Sequence, residues 1–118
     1  MIKNSSVEEI FQQIEKVLNA NPEPIQGMNV VYQYDLSGNE AGIYQLHLSD
    51  GTAKVENGAP AEAACVFEMS VDNVKDFLLG NLNGTAAFMT GKLKIKGNIG
   101  EALKLESLLR KYDMSQYQ

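Results

Sequence analysis

A single histidine and a single cysteine are the chain's whole supply of the two side chains most used for nucleophilic and metal chemistry. Nucleophilic catalysis needs a nucleophile within reach of a base. His47 lies in an alternating stretch between Leu46 and Leu48, where it reads as a surface histidine on a strand. Cys65 lies in the apolar run Ala63-Ala64-Cys65-Val66-Phe67, where a cysteine is a small buried hydrophobe with nothing nearby to lower its pKa. A metal site needs His, Cys and carboxylates at ligand spacing, and none are so spaced. The carboxylates Glu8 and Glu9 are explained by a place in the first turn of a helix, where negative charge complements the macrodipole. Gly91-Lys92-Leu93-Lys94-Ile95-Lys96-Gly97 is not a phosphate loop, which requires its glycines and lysine in a strand-to-helix turn. The sequence therefore predicts no catalytic residues, no metal and no cofactor.

Lys92, Lys94 and Lys96 alternate, so their ammonium groups share one side of a strand. Lysines in that position guard an exposed edge against pairing with other chains. The same cluster also makes a local basic patch for an anionic head group or for coenzyme A phosphates. The molecule as a whole has 15 acidic against 10 basic residues and a formal net charge of -5. That field repels nucleic acid and anionic bilayers, so the expected partners exclude nucleic acid and include at most transient membrane contact.

The elements that hold these residues can be read from periodicity. Val7, Ile10, Phe11, Ile14, Val17 and Leu18 recur at helical spacing, and Ser6 stands three residues ahead of Glu9 as a capping box requires. The helix should stop before Asn21-Pro22-Glu23-Pro24. Met28, Val30, Tyr32, Tyr34 and Leu36 then alternate as a strand with one apolar face. Ser37-Gly38-Asn39-Glu40 supplies a turn, Tyr44, Leu46 and Leu48 a second strand, and Asp50-Gly51 a tight hairpin into a third strand over Thr52 to Glu56. A fourth strand carries Cys65, Phe67 and Met69. Ser70 is placed to cap a helix bearing Val71, Val74, Phe77 and Leu78, with Gly80 suited to end it. Thr85 to Met89 makes a helical turn, and 92–96 alternates as a fifth strand. Asn98 caps a last helix carrying Ile99, Ala102, Leu103, Leu105, Leu108, Leu109 and Tyr112.

This order predicts one domain over residues 1–118, of α+β class, with a five-stranded, mostly antiparallel twisted sheet and helices packed on one face. No uninterrupted apolar run approaches the length of a membrane span. The N-terminus runs straight into the first helix, and the C-terminal Ser115-Gln116-Tyr117-Gln118 matches neither a peroxisomal address nor a prenylation motif. Together with the lone cysteine, these features lead to the expectation of a cytoplasmic protein. The helices carry more apolar side chains than so small a sheet needs. Periodicity leaves open whether the surplus is ordinary core or the wall of a cavity.

Phe67-Glu68-Met69-Ser70, Asp76-Phe77-Leu78-Leu79-Gly80 and the block from Ala87-Phe88-Met89-Thr90-Gly91 through Lys92-Leu93-Lys94-Ile95-Lys96-Gly97-Asn98-Ile99-Gly100-Glu101-Ala102-Leu103-Lys104-Leu105 resemble the sterol carrier protein family. The resemblance is specific in this second half and extends to the first 60 residues only in the order of elements. Two residues depart from it: Asn81 stands where the family often has lysine, and Gly84 where it often has proline.

The resemblance implies an apolar tunnel enclosed between sheet and helices, non-enzymatic binding and transfer of a long-chain lipid (fatty acid, fatty acyl-CoA, phospholipid or sterol-like), and no reaction. On motif position and facing, Phe77, Leu78, Leu82, Phe88 and Met89 are expected as wall residues. Ile10, Phe11 and Ile14 of the first helix and Leu103, Leu108 and Leu109 of the last join them as lipid-binding candidates. The segment from Ile99 to Tyr112, at the chain end, is expected to act as a movable cover. An alternative function on the same fold is that of an accessory domain presenting lipid intermediates to biosynthetic enzymes such as those of quinone synthesis.

Overall fold

The computed structural model describes residues 6–38, 42–78 and 82–112. Helix α1 (Val7–Ala20) starts with the full capping box, in which Ser6 Oγ accepts from the Glu9 N–H and the Glu9 carboxylate accepts from the Ser6 N–H. Val7, Ile10, Phe11, Ile14 and Leu18 are its buried face. Asn21 ends it, with its N–H on the Val17 carbonyl. A 3₁₀ turn over Glu23–Ile25 follows, and its Ile25 carbonyl takes the Met28 N–H. That turn delays the first strand: β1 runs Val30–Ser37 rather than starting at Met28.

Strands β1, β2 (Gly42–Ser49) and β3 (Thr52–Asn57) form an antiparallel meander. At the β2–β3 hairpin Asp50 and Gly51 both have positive φ, 52° and 76°, as a type I′ turn requires. The chain then returns across the open face of the sheet. Strand β4 (Cys65–Ser70) lies parallel to β1 on its far side, and β5 (Leu93–Gly97) is antiparallel to β4. The order is β3-β2-β1-β4-β5, with one parallel pairing among four. The crossover explains a buried polar residue. Gln45 points to the open face, yet it is fully covered because its amide holds the crossing loop, donating to the Ala61 carbonyl and accepting from the Ala61 N–H.

Between β4 and β5 lie α2 (Val71–Leu78) and α3 (Gly84–Met89), and α4 (Ile99–Leu109) follows β5. Ser70 Oγ accepts from the Asn73 N–H, Asn83 caps α3 and Asn98 caps α4. The expected helix stop at Gly80, the turn residues Asn39 and Glu40, and Asn81 lie outside the described residues. All four helices pack against the face of the sheet that carries Tyr32, Tyr34, Leu46, Leu48, Cys65, Phe67, Met69 and Leu93, which with the helical apolar residues make one core.

Candidate apolar groove for a lipid

The antiparallel β4–β5 pairing sets Phe67 opposite Ile95 and Met69 opposite Leu93 on the helix side of the sheet. Phe67, Leu93 and Ile95 are the floor of an apolar groove of about 300 Å³. Phe77 of α2, Gly84, Thr85 and Phe88 of α3, and Ile99, Ala102, Leu103 and Glu106 of α4 form its sides. The volume is at the lower end of the range for sites that enclose a small molecule. Its rim is open: Phe88 is 47% exposed, Ile99 53% and Leu103 56%. Among the described residues, these side chains border a groove with an exposed apolar rim.

The structure brings three expected wall residues to this groove, Phe77, Phe88 and Leu103. Others are held elsewhere. Ile10, Phe11 and Ile14 are fully buried between α1 and the sheet, where Phe11 stacks on Tyr44 at 4.8 Å and tilts against Tyr34 at 5.2 Å. Leu78, Leu108 and Leu109 belong to the packed core, and Leu82 is half-buried against it. Met89, 79% exposed, points away from the groove although it follows Phe88 directly. Each helical residue turns about 100°, so Phe88, four residues after Gly84, shares the face of Gly84, and Met89 is turned about 100° from Phe88.

Phe67, Leu93 and Ile95 were legible as buried strand positions, since each alternates with a polar neighbour. What periodicity lacked was the pairing that makes β4 and β5 adjacent. Glu106 carries no helical-wheel signal for a groove. It is there because its carboxylate accepts the Gly84 N–H at 2.7 Å and pairs with Arg110 at 3.1 Å.

The groove is uncharged except for Glu106. Two of the three lysines face the other way: Leu93 and Ile95 point to the helices, so Lys94 and Lys96 project from the open face of edge strand β5, and Lys96 pairs with Glu68 at 2.9 Å. Lys92 stands before the strand, which runs Leu93–Gly97 rather than 92–96. His47 is half-buried on that open face with Nε2 3.0 Å from Gln45 Oε1. Cys65 is buried in the core, and desolvation, with the charge of Glu101 adding to it, pushes its thiol up to about 11. Tyr32 and Tyr34 are fully buried; the Tyr34 hydroxyl has no hydrogen-bond partner, and the Tyr32 hydroxyl has only the Glu101 carboxylate near it, outside good hydrogen-bond geometry. Burial raises both phenols well above the ordinary tyrosine value. Among the described residues, no three His, Cys, Asp or Glu side chains are grouped to hold a metal ion. No helix among them is long and apolar enough to cross a membrane.

This architecture has known counterparts. The model of the SCP-2 sterol transfer family matches residues 11–110. The chain is 41% identical over 105 residues to mouse hydroxysteroid dehydrogenase-like protein 2, covering 88% of this chain and 21% of that protein. It thus spans about a fifth of that relative's length. Among solved structures, the sterol carrier protein domain 2 of Helicoverpa armigera superposes with a TM-score of 0.77 at 29% identity, over 90% of this chain and 87% of that one. Palmitated SCP2L2 from Aedes aegypti shares the fold at 20% identity, with a TM-score of 0.72 over 89% of this chain and 95% of that one. The groove lies within the matched region, and the chain belongs to the SCP-2 sterol transfer family.

Proposed function

We propose that this domain binds one long-chain lipid without chemically changing it, with the apolar chain seated in the groove against Phe77, Phe88 and Leu103, and that it passes the lipid on through the open rim. The observation that carries the reading is the uncovered apolar lining: Phe88, Ile99 and Leu103 leave large hydrophobic surface exposed beside a cavity whose floor is also apolar. Each methylene taken from water contributes about 0.8 kcal/mol, so several methylenes in the groove offset a substantial part of the cost of association. Membership of a lipid-binding family supports the same reading, as does the palmitate carried by the Aedes aegypti protein of the same fold. The lipid classes in view remain fatty acid, fatty acyl-CoA, phospholipid and sterol-like molecules.

The test is titration of delipidated protein with a fluorescent long-chain fatty acid. Wild type should bind saturably, and Phe88→Asp should lose binding while remaining folded, because a side chain 47% exposed can be replaced without an uncompensated charge in the core. Equal binding by a folded Phe88→Asp protein rules the groove out.

A further inference from the structure

Phe67, on the floor of the groove, also packs against two tyrosine rings. Tyr34 stacks on Phe67 with centroids 5.2 Å apart and planes at 19°, and the Tyr32 ring lies 6.2 Å from it. Phe67 therefore belongs both to the groove wall and to the tyrosine pair. Both tyrosines are 0% exposed; the Tyr34 hydroxyl has no hydrogen-bond partner, and the Tyr32 hydroxyl has only the Glu101 carboxylate near it, outside good hydrogen-bond geometry. A buried hydroxyl without a partner is costly, and native cores rarely hold two side by side. Tyr32 and Tyr34 are two residues apart on one strand and point to the same side of the sheet, so one ligand atom group can serve both.

We propose that Tyr32 and Tyr34 are the polar inner end of the lipid site and receive an uncharged oxygen, a hydroxyl or a carbonyl, at the buried end of the ligand once the Phe67 ring turns aside. This rests on the reading of the groove as a lipid site and adds to it a ligand class and an orientation. A phenol can donate to a carbonyl or hydroxyl oxygen, and can also accept from a hydroxyl. An anion fits poorly here. Burial already disfavours negative charge on both phenols, Glu101 adds its own charge near Tyr32 and Cys65, and no buried cation stands among the described core residues. A ligand carboxylate stays at the open rim, and its tail alone reaches Phe67.

The experiment is competition between the fluorescent fatty acid and either 1-hexadecanol or n-hexadecane, on wild type, Tyr32→Phe, Tyr34→Phe and the double variant. Removing a hydroxyl while keeping the ring leaves the packing intact. Wild type should prefer the alcohol over the alkane by about tenfold, the double variant should lose that preference, and the fatty acid should bind all four proteins alike. Alcohol should also shift the ¹³Cζ resonances of Tyr32 and Tyr34, and alkane should not. An alcohol preference that survives the double substitution, or phenol carbons already at hydrogen-bonded positions in lipid-free protein, overturns the proposal. Wild type that binds the fatty acid without preferring the alcohol overturns it alone, whereas wild type that binds no fatty acid overturns the groove reading as well.

Discussion

The Glu106 carboxylate of α4 occupies the place where a side chain at Gly84 would begin: it accepts the Gly84 N–H, and a Cβ built on Gly84 would collide with its Oε2. Glycine at the first position of α3 lets the carboxylate close over the helix N-terminus and ties α3 to α4 across the groove. The family resemblance often has proline here. Proline would fit the first helical turn but has no N–H to give.

Gly84→Ala must displace the Glu106 side chain and should cost about 1 to 2 kcal/mol, the range of a hydrogen bond to a charged group less the gain in helix propensity. Gly84→Pro should cost a similar amount. Adding Glu106→Ala to Gly84→Pro should then cost little more, because the two changes remove one interaction. Urea unfolding of the single and double variants checks this. Additive losses would show that the Gly84 to Glu106 bond contributes nothing.

Phe88 and Met89 are neighbours in sequence with opposite roles. Met89→Ser should leave fatty acid affinity and stability within about 0.5 kcal/mol of wild type, as expected for an exposed position. Phe77→Ala, deeper in the same wall and 4% exposed, should cost about 3 to 5 kcal/mol of stability through the cavity it leaves. Thermal unfolding and the fatty acid titration separate these cases.

The Tyr112 hydroxyl donates to the Asn21 carbonyl at 2.7 Å, joining the turn after α4 to the end of α1. Tyr112→Phe should cost about 1 kcal/mol and should speed amide exchange through 99–112. If α4 governs entry to the groove, the variant should also release the fluorescent fatty acid faster in stopped-flow measurements. An unchanged exchange pattern would mean that the bond does not restrain the helix.

Alkaline pH should weaken the fold in a defined window. The Cys65 thiol keeps its proton in the folded protein up to about 11, against 9.0 when unperturbed, so the folded state binds more protons than the unfolded state between those values. Stability is fully present below about pH 9 and falls as pH rises towards 11. Tyr32 and Tyr34, raised for the same reason, extend the fall above pH 10. Urea midpoints from pH 8 upward should decline, and Cys65→Ala should flatten the first part of the decline. The native thiol should also resist alkylation at pH 8 until the protein is unfolded.

The contact of this domain with bilayers should be brief. The exposed Phe88, Ile99 and Leu103 are a small apolar rim, while the Lys94 and Lys96 face points off the other side of the sheet. Lys94→Ala should therefore leave both vesicle flotation and fatty acid affinity unchanged, and Leu103→Asp should reduce transfer of the fluorescent lipid to neutral vesicles.

Local sequence chemistry determined the elements: Ser6 and Glu9 start α1, Asp50 and Gly51 turn β2 into β3, Asn98 starts α4, and the alternation of Cys65, Phe67 and Met69 shows which face of β4 is buried. Each of these depends on interactions within a few residues, and so the spacing carries it. The tertiary structure decided the site. Whether Ile10 or Ile95 faces the groove depends on which elements are adjacent, and the crossover that sets β4 between β1 and β5 leaves no local trace. The placement of Phe77 and Phe88 followed from motif resemblance and helical facing. The roles of Phe67, Ile95 and Glu106 did not, because the first two need the β4–β5 register and the third needs α3 to arrive with a glycine at the point where α4 presents a carboxylate.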